Sequence, residues 1–223
     1  MNSDYIKQHY KFEILNENHD LSDFECESED LNDFIKNHAL KQQKLNLSLT
    51  QMVICDKQII GFASILTDTI KLNLIENKKL KNEITQELNI SENNEIPAIK
   101  IGRFAIDRKY TGKGIGSHIF RNVLLSILNL SKTKVGLRFV TVDAYAIAFS
   151  FYVEKNNFNY RKSDTKYVKK LEKIINRDPE RQFVLHLDSK DIQLSKEELK
   201  ELEKSIYDAT EEIHGCVLAK EKA

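Results

Sequence analysis

Apolar residues recur along the chain at spacings that predict alternating strands and helices. Runs rich in β-branched and aromatic residues are typical of strands, and they cover residues 10–15, 47–55, 58–66, 96–106, 137–142 and 183–187. Helices are predicted over residues 30–44, 115–130 and 144–155, with a weaker one around 75–88. This order predicts an α/β domain with a mixed sheet flanked by helices.

The end of the chain predicts a separate helix. Ser195 and Glu198 have the spacing of a capping box, which begins a helix that we expect to reach about residue 213. We therefore divide the chain into a domain over residues 1–188 and a C-terminal helical extension over residues 189–223. The extension from residue 187 carries ten acids and six bases. We expect either a solvated helix or a contact with a protein partner, including a second copy of this chain.

Glycine is scarce but clustered. The chain has 223 residues with seven glycines and two prolines, against average usage of about 7% and about 5%. Collagen-like, proline-rich and flexible-linker classes are excluded. Hydrophobic residues make 41% and charged residues 30%, as in globular proteins. Three glycines fall within Gly112-Lys113-Gly114-Ile115-Gly116, which indicates a demand on backbone geometry there.

The sequence lacks the features that are typical of membrane-spanning, disulfide-rich and zinc-binding proteins. No apolar stretch approaches the roughly 18 residues of a membrane span, and the N-terminus does not read as a signal peptide. Cys26, Cys55 and Cys216 are widely spaced without a Cys-x-x-Cys pair. They predict neither a disulfide framework nor a zinc site. We expect a cytoplasmic protein with no metal ion and no membrane partner.

Charge is balanced overall but unevenly distributed. The net charge is zero, yet residues 12–35 carry nine acids and no Lys or Arg, while residues 98–142 carry nine bases and only Asp107 as an acid. Two interpretations stay open. The two segments pair with each other in the fold, or the basic segment faces an anion.

The glycine window predicts an anion site. It lies between a predicted strand and a predicted helix, where glycines let successive N–H groups point at one ligand and the helix adds its own free N–H groups. The phosphate loop of nucleotide triphosphatases is excluded because Gly114 follows Lys113. The dinucleotide pattern is excluded because the third glycine comes one residue early.

Two motifs resemble the GCN5-related N-acetyltransferase (GNAT) family. The window from Thr111 to Gly116 is similar to that family's pyrophosphate loop, Gln/Arg-x-x-Gly-x-Gly/Ala. The run from Val142 to Tyr152, which ends 36 residues after Gly116, resembles the family's V-D-A-x-x-x-x-A-x-x-F-Y segment. The resemblance covers roughly residues 10–188. It implies a GNAT-like, mostly antiparallel mixed sheet, acetyl-CoA as acetyl donor, and direct transfer of the acetyl group to an amine without a covalent enzyme intermediate.

The resemblance also implies site residues. Tyr152 is the expected catalytic residue, serving the departing thiolate. Setting the register from Phe158 instead would put Val153 in that place, but Ala148, Phe151 and Tyr152 match together. The expected cofactor-binding residues are Phe104, Ala105, Ile106, Lys109, Thr111, Gly112, Lys113, Gly114, Ile115, Gly116, Ser117 and Tyr145. Thr111 replaces the usual Gln or Arg, so Lys109 or Lys113 is expected to supply that contact if it is made. Tyr145 replaces an Asn.

Several acceptors remain open. An α-amine, with a pKa of about 7.7, is partly neutral at physiological pH and needs a base less than lysine at about 10.4. Our main prediction is an N-acetyltransferase acting on an amine-bearing acceptor. The early helix and the segment from Ile96 to Asp107 resemble the toxin-type subgroup, so one alternative is an enzyme acetylating aminoacyl-tRNA. Another is a non-catalytic acetyl-CoA-binding module.

Overall fold

A single mixed sheet of seven strands positions the rest of the chain. The computed structural model describes residues 1–220, with all their side chains except those of residue 162 and residues 211–220. The strands are β1 (Lys11–Ile14), β2 (Leu49–Cys55), β3 (Gln58–Lys71), β4 (Glu95–Ile106), β5 (Phe139–Tyr145), β6 (Asn159–Tyr160) and β7 (Gln182–Asp188). Their spatial order is β1-β2-β3-β4-β5-β7-β6. The predicted α/β class is confirmed.

The pair β4–β5 differs from its neighbours because it is parallel and short. It runs from Ala98 opposite Phe139 to Ile101 opposite Val142, while the other described pairs are antiparallel. Beyond Ile101, β4 continues to pair with β3 but has no partner in β5. A bulge at Gly102, which lies between the residues paired to Ser64 and Ile65, bends β4 at this point. The two strands therefore diverge and open a gap.

Helices cover both faces of the sheet. They are α1 (Ser3–His9), α2 (Glu29–Asp33), α3 (Ala39–Lys44), α4 (Lys78–Leu88), α5 (Ile115–Thr133), α6 (Phe149–Asn156), α7 (Thr165–Val168), α8 (Leu171–Arg177) and α9 (Lys196–Lys220). Neighbouring residues of β3 belong to different cores. Ala63 packs with Phe120 of α5 in one cluster, and Phe62 packs with Phe34 in another. The alternation of a strand assigns these clusters to opposite faces.

The C-terminal helix begins as the sequence predicts. The Ser195 N–H donates to Glu198 Oε2 (2.8 Å), and the Glu198 N–H donates to Ser195 Oγ (3.2 Å), which completes the capping box. Glu198 also receives two hydrogen bonds from Arg121 of α5, at 3.0 and 2.7 Å. This charged contact joins the extension to the domain. Cys216 lies outside the described side chains.

Some elements depart from the predictions. The helix expected over residues 30–44 contains a π-helical turn, Phe34–His38, between α2 and α3. β3 continues to Lys71, because its second half pairs with β4 as far as Glu95. The polar segment α1 was missed, since Ile6 is its only buried residue. The insert containing β6, α7 and α8 was missed because its helices are each only one or two turns long.

In the part of the chain that the structure describes, none of the helices combines the length and the apolar character that crossing a bilayer demands.

Gly61 offers a test of the close β3–β4 contact. A Cβ built there would clash with the Ala105 carbonyl oxygen and lie 2.8 Å from Ile106 Cδ1. We expect Gly61→Ala to lower the free energy of unfolding by about 1–3 kcal/mol, because the strands must separate. Gly136→Ala is the control, since a Cβ there meets nothing within 4 Å, and we expect a change below about 0.5 kcal/mol. Urea unfolding measures both, and equal stabilities would contradict this packing.

Candidate active site

The gap between β4 and β5 opens into a cleft of about 370 Å³. Its walls come from the end of β4, the loop before α5, the start of α6 and the segment before α2. The lining residues are Cys26, Glu27, Ser28, Leu31, Phe104, Ala105, Ile106, Thr111, Gly112, Gly114, Gly116, Ser117, Tyr145, Ile147, Ala148, Phe151, Tyr152 and Lys155. The two motifs found in the sequence therefore meet in one cavity.

The glycine loop has the backbone geometry of an anion cradle. Gly112 and Gly114 have φ angles of +74° and +71°, which side chains other than glycine rarely adopt. A Cβ on Gly112 would meet nothing within 4 Å, so the backbone angle and not close packing accounts for glycine at this position. Gly114 caps α5 without any side-chain hydrogen bond. The first N–H groups of α5 have no intrahelical acceptor, and the positive end of its dipole lies at this loop.

Three of the residues predicted to bind the cofactor do not line the cleft. The ammonium group of Lys109 donates to the Asp23 carbonyl (3.4 Å), and that of Lys113 donates to the Lys109 carbonyl (3.1 Å). Ile115 is buried against the core below the loop. The other nine, Phe104 to Ile106, Thr111, Gly112, Gly114, Gly116, Ser117 and Tyr145, line the cleft. Their roles in binding remain predictions.

Tyr152 lies where two cavities meet. It lines the cleft and also an adjoining smaller cavity of about 70 Å³, whose further polar lining includes Arg103, Asp143 and Gln182. Val153 lines neither. The Tyr152 side chain is 9% exposed. Its ring packs edge-on against Phe120 and Phe158, with centroids 5.4 and 5.7 Å away.

The environment of Tyr152 keeps its phenol protonated. Burial raises the pKa of Tyr152 far above its usual value of about 10. Among the described residues no partner hydrogen-bonds to its hydroxyl. A neutral phenol can donate one hydrogen bond, so this tyrosine is available as a donor to a ligand in the cleft.

The sequence did not predict the wall formed by residues 26–31. Asp107, at the end of β4, is buried and accepts hydrogen bonds from the N–H groups of Glu25 (3.2 Å) and Lys109 (2.8 Å). Arg108 donates to the Cys26 carbonyl (3.2 Å). These contacts bring Cys26 into the lining, although its sequence position is remote. Burial raises the pKa of the Cys26 thiol, whose Sγ donates to the Ser28 carbonyl (3.3 Å), so it is a poor nucleophile.

Two lysines near the cleft were also missed. Lys7 of α1 has its Nζ 3.9 Å from the position of a Cβ on Gly114. No sequence signal could have placed it there, because α1 itself was not predicted. Lys155, on the exposed side of α6, lines the cleft directly. Both cations stand close enough to add positive charge at the mouth of the glycine loop.

The basic segment 98–142 is largely engaged inside the fold. Lys100 pairs with Asp143 (3.1 Å), Arg121 with Glu198, and Arg138 with Asp188 (2.8 Å). Arg103 Nε lies 3.8 Å from Asp30 Oδ2, an ion pair between the basic segment and the acidic segment 12–35. The two segments also touch through the backbone contacts of Arg108 and Lys109. Pairing within the fold thus accounts for much of this charge.

The described residues contain no group of three or more His, Cys, Asp or Glu arranged to hold a metal ion. The titratable groups lining the cleft are Cys26, Glu27, Tyr145, Tyr152 and Lys155. The Tyr145 hydroxyl donates to Asp30 Oδ2 (3.0 Å). Burial first, then the Asp30 hydrogen bond, raises the pKa of Tyr145. This cleft therefore suits hydrogen-bonding and acid–base chemistry on a bound ligand.

Comparison with known proteins gives a curated relative of known activity and several solved structures of similar fold. No family model matches the chain. A curated relative, the tRNA-acetylating toxin of Mycobacterium tuberculosis (strain ATCC 25618 / H37Rv), is 24% identical over 147 residues, which cover 66% of this chain and 81% of the relative.

Solved structures share the fold. A tyrosine-to-phenylalanine mutant of KacT superposes with a TM-score of 0.64 at 18% identity, covering 83% of this chain and 98% of KacT. AtaT in complex with acetyl-methionyl-tRNAfMet gives a TM-score of 0.64 at 19% identity, covering 82% and 96%. AtaTR bound with acetyl-CoA gives 0.58 at 20% identity, covering 83% and 96%. Fold, motifs and relatives agree, and the chain has the GNAT fold and resembles the toxin-type members of that family.

Proposed function

We propose that this chain transfers the acetyl group of acetyl-CoA to the α-amino group of an aminoacyl-tRNA. The observation that carries the proposal is the position of Tyr152. It joins a cleft with a phosphate-binding loop to a second, smaller cavity, so that a donor and an acceptor can meet at its hydroxyl. This geometry is what a direct transfer between two substrates requires.

The cleft fits a CoA thioester. The glycine loop and the first turn of α5 offer free N–H groups to the pyrophosphate, and Lys7 and Lys155 add positive charge. Residues 102–106 of β4 have no partner in β5, so this strand edge is free to hydrogen-bond the pantetheine amides. When bound, acetyl-CoA supplies an acetyl group on a thioester, which an amine can attack.

We assign to this chain the electrostatic part of the reaction. A backbone N–H of the Phe104–Ile106 segment is proposed to donate to the thioester carbonyl as negative charge develops there. The amine nitrogen forms the new C–N bond as the C–S bond breaks, and the proton released from the amine goes to solvent. Tyr152 donates a hydrogen bond to the departing sulfur. Its raised pKa makes complete proton transfer from the phenol unfavourable.

The acceptor is inferred from the relatives and from acid–base chemistry. One relative is named a tRNA-acetylating toxin, and one structural neighbour is in complex with acetyl-methionyl-tRNAfMet. These findings favour the aminoacyl-tRNA alternative over a general amine acceptor. An α-amine of pKa about 7.7 is partly neutral near pH 7, so the acceptor needs no dedicated base. Asp143, in the smaller cavity, is held by Lys100 instead of standing free.

A protein partner at the C-terminal helix stays a prediction. α9 exposes Leu199, Ile206 and Tyr207, apolar side chains that a second protein surface could cover. AtaT has been solved bound to the C-terminus of the antitoxin AtaR. We extend that kind of partner, or a second copy of this chain, to α9.

Gly114 tests the cofactor assignment. Gly114→Ala places a side chain at a φ of +71°, so the loop must shift to relieve the strain. We expect the affinity for acetyl-CoA to fall by about tenfold or more, equivalent to about 1.4 kcal/mol. Isothermal titration calorimetry measures it, with Gly136→Ala as the control. Unchanged affinity in a folded Gly114→Ala variant would place the pyrophosphate elsewhere.

Tyr152 tests the chemistry. Tyr152→Phe keeps the ring contacts with Phe120 and Phe158 but removes the hydroxyl. We expect the rate of aminoacyl-tRNA acetylation to fall by about 10²–10³-fold, the loss typical of removing one hydrogen-bond donor to a developing negative charge, with acetyl-CoA affinity unchanged.

The matched control for that experiment is Tyr207→Phe on the exposed side of α9, which should retain the full rate. Expression in a bacterial host gives a second readout, in which growth arrest should be relieved only by Tyr152→Phe. Full activity of Tyr152→Phe would exclude the proposed role. Acetyl-CoA binding without acetylation of any aminoacyl-tRNA would favour the non-catalytic module.

A further inference from the structure

The insert between β6 and β7 carries a dense positive charge. Residues 161–181 include eight Lys or Arg and four Asp or Glu. Lys166, Lys170, Lys173 and Arg177 follow one another at intervals of four, three and four residues, from α7 through α8. Although Lys170 lies in the turn between the two helices, the four side chains share one surface because they line the same cavity. We call these four residues, with Arg181, the basic ridge.

The other side of the insert is apolar and fixes the basic ridge in place. Val168, Leu171, Ile174 and Ile175 pack against the main core cluster. The side chains of Lys166, Lys170, Lys173 and Arg177 are exposed. The insert is therefore amphipathic: its apolar residues pack against the core and its cations face solvent.

The cations of the basic ridge form no ion pairs with the described residues, unlike Arg103, Arg121 and Arg138. They surround a cavity of about 640 Å³, in which Asp178 is the only acidic lining residue described. Arg181 and Lys166 lie over the Tyr167 ring, at 3.9 and 4.8 Å from its centroid. Hydrogen bonds from Lys166 and Arg181 lower the pKa of the Tyr167 phenol. Uncompensated positive charge is thus concentrated on this surface.

The basic ridge begins at the rim of the cleft. The Ala146 N–H donates to the Arg181 carbonyl (2.8 Å), and the Ile147 N–H donates to the Pro179 carbonyl (3.2 Å). Ile147 lines the cleft and is 62% exposed. A polyanion lying along α7 and α8 would therefore reach the mouth of the cavity in which Tyr152 lies.

We propose that the basic ridge binds the phosphate backbone of the RNA whose aminoacyl end enters the cleft. This inference rests on the proposed function for the identity of the acceptor. Exposed lysines without acidic partners gain affinity for a polyanion by releasing its counterions. An acidic protein segment is a weaker match, because protein interfaces centre on buried apolar anchors, whereas the apolar residues here face the core.

The test compares two pairs of charge changes in the full chain. Lys170→Glu with Lys173→Glu changes the basic ridge, and Lys78→Glu with Lys79→Glu makes the same change on the exposed side of α4. The probe is deacylated tRNA, with binding followed by fluorescence anisotropy over a salt series. Each phosphate contact contributes about 0.7–0.9 to the slope of log K against log salt. We expect the ridge variant to lose about 1.5 of slope and about tenfold or more in affinity, and the α4 variant to match the unaltered chain.

Further readouts separate a binding role from damage to the fold. Both variants should keep the acetyl-CoA affinity and the melting temperature of the unaltered chain. The variant Lys170→Gln with Lys173→Gln should show a similar decrease in the slope of log K against log salt, although glutamine does not repel the phosphates. In acetylation assays, the ridge variant should raise KM for aminoacyl-tRNA with little change in kcat. Equal slopes and affinities for the ridge and α4 variants would overturn the proposal. The proposal would also fail if the ridge variant lost binding to a polyglutamate peptide but bound tRNA as the unaltered chain does.

Failure of this proposal is distinguishable from failure of the proposed function. Binding of deacylated tRNA requires no chemistry. A chain that binds tRNA through the ridge without acetylating aminoacyl-tRNA would refute the proposed function and support the ridge. A chain whose ridge variant acetylates aminoacyl-tRNA with unchanged KM would support the function and refute the ridge.

Discussion

The divergence of β4 from β5 is the constraint on which the site depends. If the parallel pairing of β4 with β5 continued beyond Ile101, backbone hydrogen bonds would fill the gap and leave no strand edge for a ligand. The bulge at Gly102 bends β4 at the residue where pairing ends. On one side of the gap, Phe104 packs on Phe120 of α5, with centroids 5.1 Å apart. The gap is thus held open by packed aromatic residues, which makes it a preformed cavity.

Electrostatic pairing shows how a chain of zero net charge can still offer local positive charge to the anionic substrate that we propose. The arginines that hold elements together have acidic or carbonyl partners, as Arg138 has Asp188 and Arg121 has Glu198. These pairs neutralise the arginines that form them. Lys7 is likewise paired with Asp4 (3.5 Å), whereas Lys155 at the cleft and the lysines of the basic ridge form no ion pair with the described residues. Net charge is therefore a poor guide to the partners of this protein, and the local distribution of unpaired cations is a better one.

The sequence predicted what depends on local geometry. Glycines at positive φ, a capping box and a strand–loop–helix order are set by neighbouring residues, so the loop at Gly112–Gly116 and the start of α9 could be anticipated. The wall at Cys26 could not, because it is brought to the cleft by Asp107, more than 80 residues away. The position of Lys7 depends on α1, whose polar sequence has a single buried residue. The basic ridge was missed because counting the charged residues in a segment of sequence does not reveal which of them form ion pairs in the fold.

Under the proposed function, the burial of Tyr152 and an α-amine acceptor are chemically consistent with each other. A buried phenol with a raised pKa stays protonated over the physiological range, so it can stabilise a leaving thiolate but cannot deprotonate an incoming amine. Another group must then take the proton, and Asp143, the only carboxylate among the described residues lining the smaller cavity, is engaged by Lys100. An acceptor that is already partly neutral removes the need for a base. A lysine side chain is almost fully protonated near pH 7, so a lysine acceptor would still need a base. Under the proposed function, the lack of a free carboxylate among the described residues lining the smaller cavity favours the kind of amine that an aminoacyl ester presents.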